Sequence, residues 1–224
     1  MVGAKIDDPE LRIPSGGAIL GGELSVPLGA AGVVLFAHGS GSSRHSPRNQ
    51  YVARVIREGG IGTLLFDLLT PEEETVDMRT AQLRFDIDLL AGRLMDATRW
   101  IATEPDTRRL RVGYFGASTG AAAALVAAAE LGPRIGAVVS RGGRPDLARF
   151  ALPRVQSPTL LIVGERDYPV IPMNEEAYAQ LRCVKHMVIV PGATHLFEER
   201  GALEEVARLS TGWFQHHLTP HRHG

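Results

Sequence analysis

No disulfide can form within this chain, because Cys183 is the only cysteine in 224 residues. A lone cysteine fits a reducing compartment, so a cytoplasmic location is the expectation. Cys183 falls between an apparent helix and the strand Val184 to Val190, where a small core residue is the expected role. Excess charge of either sign is also lacking: 24 Lys and Arg stand against 25 Asp and Glu, for a formal net charge of -1. No field strong enough to gather nucleic acid or an anionic membrane follows from that balance. No apolar run approaches the length of a membrane-spanning helix, and Met1 to Asp8 lacks the apolar core of a signal peptide. Internal repeats, low-complexity tracts and linkers are missing as well, so residues 1–224 are expected to form a single domain.

What the chain does have is alternation. Short β-branched runs recur between longer helical patterns from about residue 19, the signature of a mostly parallel sheet of seven or eight strands with helices on both faces. The expected strands are Leu20 to Val26, Val33 to Ala37, Gly62 to Phe66, Arg111 to Phe115, Ala137 to Ser140, Thr159 to Val163 and His186 to Val190, with one more near Leu11 to Ile13. The expected helices are Pro47 to Glu58, Thr80 to Thr103, Gly120 to Leu131, Met173 to Leu181 and Gly201 to His217. In the second helix Leu83, Ile87, Leu90, Leu94 and Ile101 recur at helical spacing and mark a packing face. Asp67 to Arg79 reads as an irregular acidic loop beyond a strand's C-terminal end, either a border of the active site or a solvated surface loop.

The most informative segment is Val112 to Leu125, a strand, a cramped turn and an alanine-rich helix with Ser118 at the tip of the turn. Gly116-Ala117-Ser118-Thr119-Gly120 fits the G-x-S-x-G nucleophile elbow, whose serine sits in a strained turn between strand and helix. A serine hydroxyl needs a base, usually histidine, and a carboxylate to orient that base. His195, beyond the strand ending at Val190, is the base candidate, and Asp167, beyond the strand ending at Val163, is the preferred acid. Both loops leave the sheet edge that carries Ser118. Glu165 and Asp146 are alternative acids. Among the other histidines, His216, His217, His221 and His223 belong to a polar terminus, His186 starts a strand on the far side of the sheet, and His45 lies in a loop approaching the site.

An oxyanion formed at Ser118 needs two donors. The backbone N–H of Thr119, at the positive end of the following helix, is one, and the N–H of Ser40 in His38-Gly39-Ser40-Gly41-Ser42-Ser43 is the other. His38 is expected to hold that loop by hydrogen bonds. The same glycine-rich turn lacks the Gly-Lys-Ser/Thr ending of a nucleotide-binding P-loop.

With the His-Gly turn, the serine elbow, Gly164-Glu165-Arg166-Asp167 and Gly192-Ala193-Thr194-His195 in this order, the chain resembles the α/β-hydrolases, and among them the dienelactone-hydrolase-like group, from about Leu20 to Leu218. The resemblance implies an α/β-hydrolase fold with little or no cap, a Ser118–Asp167–His195 triad, and no metal or organic cofactor. True dienelactone hydrolases carry cysteine at the elbow, so Ser118 points to a serine esterase acting on a small carboxylic ester, in preference to dienelactone. Acyl transfer, thioester or amide cleavage, and a non-catalytic small-molecule sensor are the alternatives. The implied partner is a small-molecule ester, not nucleic acid or membrane, and nothing in the sequence speaks to oligomeric state. Arg44 and Arg141 are candidate substrate-binding residues that would suit an acidic substrate, or else they balance Glu72, Glu73 and Glu74.

Overall fold

In the computed structural model, which describes residues 11–219, one eight-stranded sheet runs through the molecule in the order β1-β2-β4-β3-β5-β6-β7-β8. Its strands are β1 (Leu11–Ser15), β2 (Ala18–Ser25), β3 (Gly32–Ala37), β4 (Gly62–Phe66), β5 (Arg111–Ala117), β6 (Ile135–Arg141), β7 (Thr159–Gly164) and β8 (Lys185–Val190). β1 and β2 pair antiparallel, as do β2 and β4, and every other pairing is parallel. The six parallel strands therefore deliver their C-terminal ends to one edge. After β3 the chain crosses to β4 on one side and then to β5 on the other, which opens a crevice at the ends of β3 and β5.

Six α-helices connect and cover the strands: α1 (Pro47–Glu58), α2 (Pro71–Thr80), α3 (Ile87–Ile101), α4 (Thr119–Leu131), α5 (Val170–Gln180) and α6 (Ala202–Leu218). One face of the sheet packs on α1 and α6 through Val34, Phe36, Phe115, Val139, Ile56, Val206 and Phe214, all at most 2% exposed. The other face packs on α3 and α4, through Leu35, Tyr114, Val138, Leu94 and the alanines of α4. Ala121 to Ala124 are fully buried. Alanine is the best helix former and the smallest that still fills space, so α4 nestles between the sheet and α3, where larger side chains would overpack. His216 and His217, expected in a polar terminus, form the last turn of α6, and His221 and His223 lie outside the described residues.

The largest departure from expectation is between β4 and β5. The irregular loop expected at Asp67 to Arg79 contains α2, a helix with a complete N-terminal device. Thr70 Oγ1 accepts from Glu73 N at 3.3 Å, Glu73 Oε2 accepts from Thr70 N at 2.8 Å, and Pro71 opens the helix. That capping box was written in the sequence as Thr-Pro-Glu-Glu and outweighs the helix's weak amphipathicity. Conversely, the long helix expected from Thr80 to Thr103 is broken. Ala81 takes a left-handed conformation (φ 55°) that ends α2, and Asp86 caps α3 by accepting from Leu89 N at 3.0 Å. Two short 3-10 turns within Pro145–Arg154, separated by a kink at Arg149 (φ 46°), also follow β6 where no regular element was expected. Among the described residues no helix is long and apolar enough to cross a membrane.

Candidate active site

Ser118 sits between the end of β5 and the first residue of α4 with φ 50° and ψ -122°, a conformation that side-chain-bearing residues rarely adopt. The flanking glycines make it feasible by letting backbone pass where no side chain fits. A Cβ on Gly116 would lie 2.4 Å from Ala121 Cα, and one on Gly120 would lie 2.1 Å from the Ala37 carbonyl oxygen. The turn is pinned further by its backbone: Ser118 N donates to Arg141 O at 3.4 Å, and Ser118 O accepts from Arg144 N at 3.1 Å and from Ala121 N at 3.1 Å. The serine is thereby held at the crevice edge.

Asp167 and His195 meet across the ends of β7 and β8. Asp167 Oδ2 lies 2.7 Å from His195 Nδ1, with Asp167 7% exposed and the imidazole side chain 38% exposed. A carboxylate on Nδ1 fixes the tautomer with the proton there and leaves Nε2 free to accept one. The other two acids are occupied elsewhere. Glu165 Oε2 accepts from Gly192 N at 2.7 Å and so ties the two loops together, while Asp146 is held by the Arg144 guanidinium through contacts of 2.9 and 2.8 Å. Further bonds stiffen the histidine loop, with Arg166 N donating to Ala193 O at 2.9 Å and Thr194 Oγ1 to Glu199 at 2.6 Å. His195 lies against Gly142. A Cβ there would lie 3.1 Å from His195 O and 3.5 Å from His195 Nδ1, and Gly142 directly follows the Arg141 whose carbonyl receives Ser118 N. Ser118 Oγ itself makes no hydrogen bond among the described residues.

Ser40 and Thr119 also come together, their hydroxyls 3.2 Å apart. The loop bearing Ser40 presses on the elbow, for a Cβ on Gly39 would stand 2.9 Å from Ser118 Cβ. His38 braces this loop from below. Leu68 N donates to its Nε2 at 2.9 Å, so Nδ1 carries the proton and donates to Gly39 O at 3.0 Å. Burial lowers the His38 pKa, against the opposing pull of the Gly39 carbonyl and the Asp67 carboxylate. Leu68 is anchored in turn by Arg93 Nη1, which donates to its carbonyl at 2.6 Å and also holds Glu73 of α2. The Arg93 guanidinium keeps the Glu73 carboxyl below its ordinary pKa.

A cavity of about 470 Å³ opens beside these groups. Ser40 and Thr119 stand at one end, the start of α1 forms one wall, and Met78 of α2 with Arg84 forms another. The α2 wall is the functional feature missed by the sequence expectation, and the capping box was the signal that would have found it. Arg44 does not line this cavity. It is bonded to Asp67 through its backbone and guanidinium, and it borders a separate groove beside β1 and β2. Arg141 lies at the end of β6, 5% exposed, with its guanidinium carbon 5.8 Å from the Phe197 ring centroid. Among the described residues no cluster of three or more His, Cys, Asp or Glu is arranged to hold a metal ion.

Comparison with known proteins places this arrangement. Residues 31–217 match the model of the dienelactone hydrolase family. A crystal structure of dienelactone hydrolase from Anabaena variabilis is 61% identical, covers 94% of this chain and 97% of its own, and superimposes with a TM-score of 0.92. Est1E from Butyrivibrio proteoclasticus is only 15% identical but shares the fold at a TM-score of 0.78, over 94% of this chain and 99% of its own. An α/β serine hydrolase without a lid from Xanthomonas campestris does so at 0.76, with 20% identity over 97% and 99%. Two Mycobacterium tuberculosis proteins provisionally named phosphoribosyl transferase are 57% identical over 94% of this chain, which spans about half of their length, 47%. The fold is that of the α/β hydrolases, and the chain belongs to the dienelactone hydrolase family.

Proposed function

We propose that this protein is a serine hydrolase that cleaves small carboxylic esters through an acyl-enzyme. The observation that carries the reading is the contact between Asp167 and His195 at 2.7 Å, at the sheet edge where the elbow holds Ser118. Nδ1 of His195, protonated and oriented by Asp167, leaves Nε2 to take the Ser118 proton as Oγ attacks the ester carbonyl carbon. The carbonyl π electrons move to oxygen, and the resulting oxyanion receives hydrogen bonds from the Thr119 and Ser40 N–H groups. His195 then returns the proton to the departing alcohol. Water, deprotonated by the same imidazole, attacks the acyl carbon and releases the acid and Ser118. The scheme uses only protein groups and water.

Serine at position 118 supports general ester hydrolysis over dienelactone hydrolysis, because serine relies on His195 for activation where a cysteine thiolate would not. The Asp167 contact favours this reading over a sensor, which gains nothing from an oriented base. The transferase name of the mycobacterial relatives is not carried over, since this chain corresponds to only half of their length. The direct test is labelling with a fluorophosphonate, followed by a panel of p-nitrophenyl esters. Mass is expected on Ser118, and Ser118→Ala is expected to abolish turnover while circular dichroism stays unchanged. Turnover surviving in folded Ser118→Ala overturns the assignment.

A further inference from the structure

The segment formed by residues 141–144, at the end of β6, borders every part of the proposed triad. Arg141 O accepts from Ser118 N at 3.4 Å, and Arg144 N donates to Ser118 O at 3.1 Å. Gly142 N donates to Ile162 O at 2.8 Å, in the strand that leads to Asp167, and Gly142 is the residue against which His195 lies. Two glycines in a row give this segment little conformational preference of its own, and Gly142 takes φ 50°, so contacts from outside must fix its course. Space supplies part of the constraint, since a Cβ on Gly143 would stand 2.0 Å from Ser140 Oγ and 2.6 Å from Ala121 Cβ. Among the described residues, the one side chain that bonds to the backbone of residues 141–144 is Asn174 of α5, whose Nδ2 donates to Gly143 O at 3.1 Å.

Asn174 stands where the packing pattern of α5 calls for an apolar residue. Val170 and Ala177 share its helical stripe and are buried, and Asn174 is fully buried with them. Its Nδ2 also donates to Val170 O at 2.9 Å, so two carbonyl oxygens fix which end of the amide faces them, and Oδ1 is left buried without a partner. Such an acceptor carries a cost that an apolar side chain would not, so stability alone does not account for an amide here. The start of α5 is itself bonded to the triad acid, with Val170 N and Ile171 N donating to Asp167 O at 2.9 and 3.2 Å. Asn174 thus ties the helix that begins beside Asp167 to the segment that holds Ser118. We propose that Asn174 is a positioning residue for the hydrolysis, setting where Ser118 stands relative to the Asp167–His195 pair. The proposal deepens the serine-hydrolase reading and rests on it. Without the Nδ2 bond the glycine pair is free to shift, and Ser118 moves with Arg141 O and Arg144 N. A displacement of about 1 Å from the productive geometry costs on the order of 100-fold in rate.

The experiment compares Asn174→Ala and Asn174→Thr with wild type by p-nitrophenyl acetate kinetics, by the rate of fluorophosphonate labelling at Ser118, and by melting temperature. Alanine removes both Nδ2 bonds and needs no extra room. Threonine is close to asparagine in size, and its hydroxyl in a helix bonds the carbonyl four residues back, so Asn174→Thr keeps a Val170 contact and drops the Gly143 one. In each variant kcat and the labelling rate are expected to fall about tenfold or more while KM stays within about twofold of wild type, because Asn174 does not line the cavity. A purely structural residue would lower the melting temperature and leave kcat of the folded protein, measured well below that temperature, unchanged. Folded Asn174→Ala, or Asn174→Thr should the alanine variant fail to fold, that labels and turns over at the wild-type rate overturns the positioning role and leaves the serine-hydrolase reading standing. A rise in KM that accounts for the whole loss overturns the role as well. Wild type that does not label at Ser118 sinks the hydrolase reading, and the role with it.

Discussion

Asp167 Oδ2 and His195 Nδ1, 28 residues apart in sequence, lie 2.7 Å from each other at the ends of neighbouring strands β7 and β8. The contact sets which imidazole nitrogen carries the proton. Asp167→Asn would keep the shape of the pair but present an amide N–H to Nδ1, favouring the wrong tautomer. A loss in kcat of roughly 10⁴-fold is expected, with the fold intact. Steady-state kinetics on p-nitrophenyl acetate, alongside near-ultraviolet circular dichroism, measures it, and a loss under tenfold would remove Asp167 from the proposed triad.

The elbow makes a stability prediction independent of chemistry. In Gly120→Ala the new methyl would stand 2.1 Å from the Ala37 carbonyl oxygen, a backbone atom that cannot swing aside. A destabilisation of about 3 kcal/mol or more is expected. For a chain of this size that corresponds to a fall in melting temperature of roughly 6–12 °C, measurable by calorimetry.

His38 makes stability depend on pH. Its folded pKa is lowered from 6.5 by burial, so the unfolded chain takes up the proton first on acidification. Stability from this residue is complete above the unfolded value of about 6.5, and it declines as pH falls from there toward the folded value. Protonation would also remove the Nε2 acceptor that receives Leu68 N–H and so loosen the Ser40 loop. Urea unfolding from pH 7.5 to 5 checks this. His38→Gln should show a flatter profile over that range, and an equal slope in both proteins would refute the argument.

Helix α2 walls the cavity, and its start depends on Thr70. Thr70→Ala removes the hydroxyl that accepts from Glu73 N, at a cost of about 1 kcal/mol. The expected outcome is a melting temperature lower by roughly 2–4 °C. Because Met78 and Arg84 line the cavity, KM for esters is expected to rise more than kcat falls. Matched thermal scans and ester kinetics separate the two effects.

The elements legible in the sequence were those with strong local patterns. Continuous apolar runs gave away β3 and β7, because strands covered on both faces need no polar alternation. Ser118 was legible because a strand, five small residues and an alanine-rich helix leave the chain only one sharp way to turn. The capping box at Thr70 was equally local but was obscured by Glu72, Glu73 and Glu74, whose charges resemble a solvated loop while in fact suiting a helix's first turn.

By itself, then, the sequence determined the order of strands and helices, the elbow, and the delivery of Asp167 and His195 to one edge of a parallel sheet. Only the tertiary structure decided among Asp167, Glu165 and Asp146 as the imidazole's partner, separated Arg44 from the cavity, and buried Arg141 beside the start of α1. Backbone pattern depends on neighbours along the chain, whereas a side chain's partner depends on which atoms other loops bring within about 3 Å, a distance no spacing along the sequence encodes.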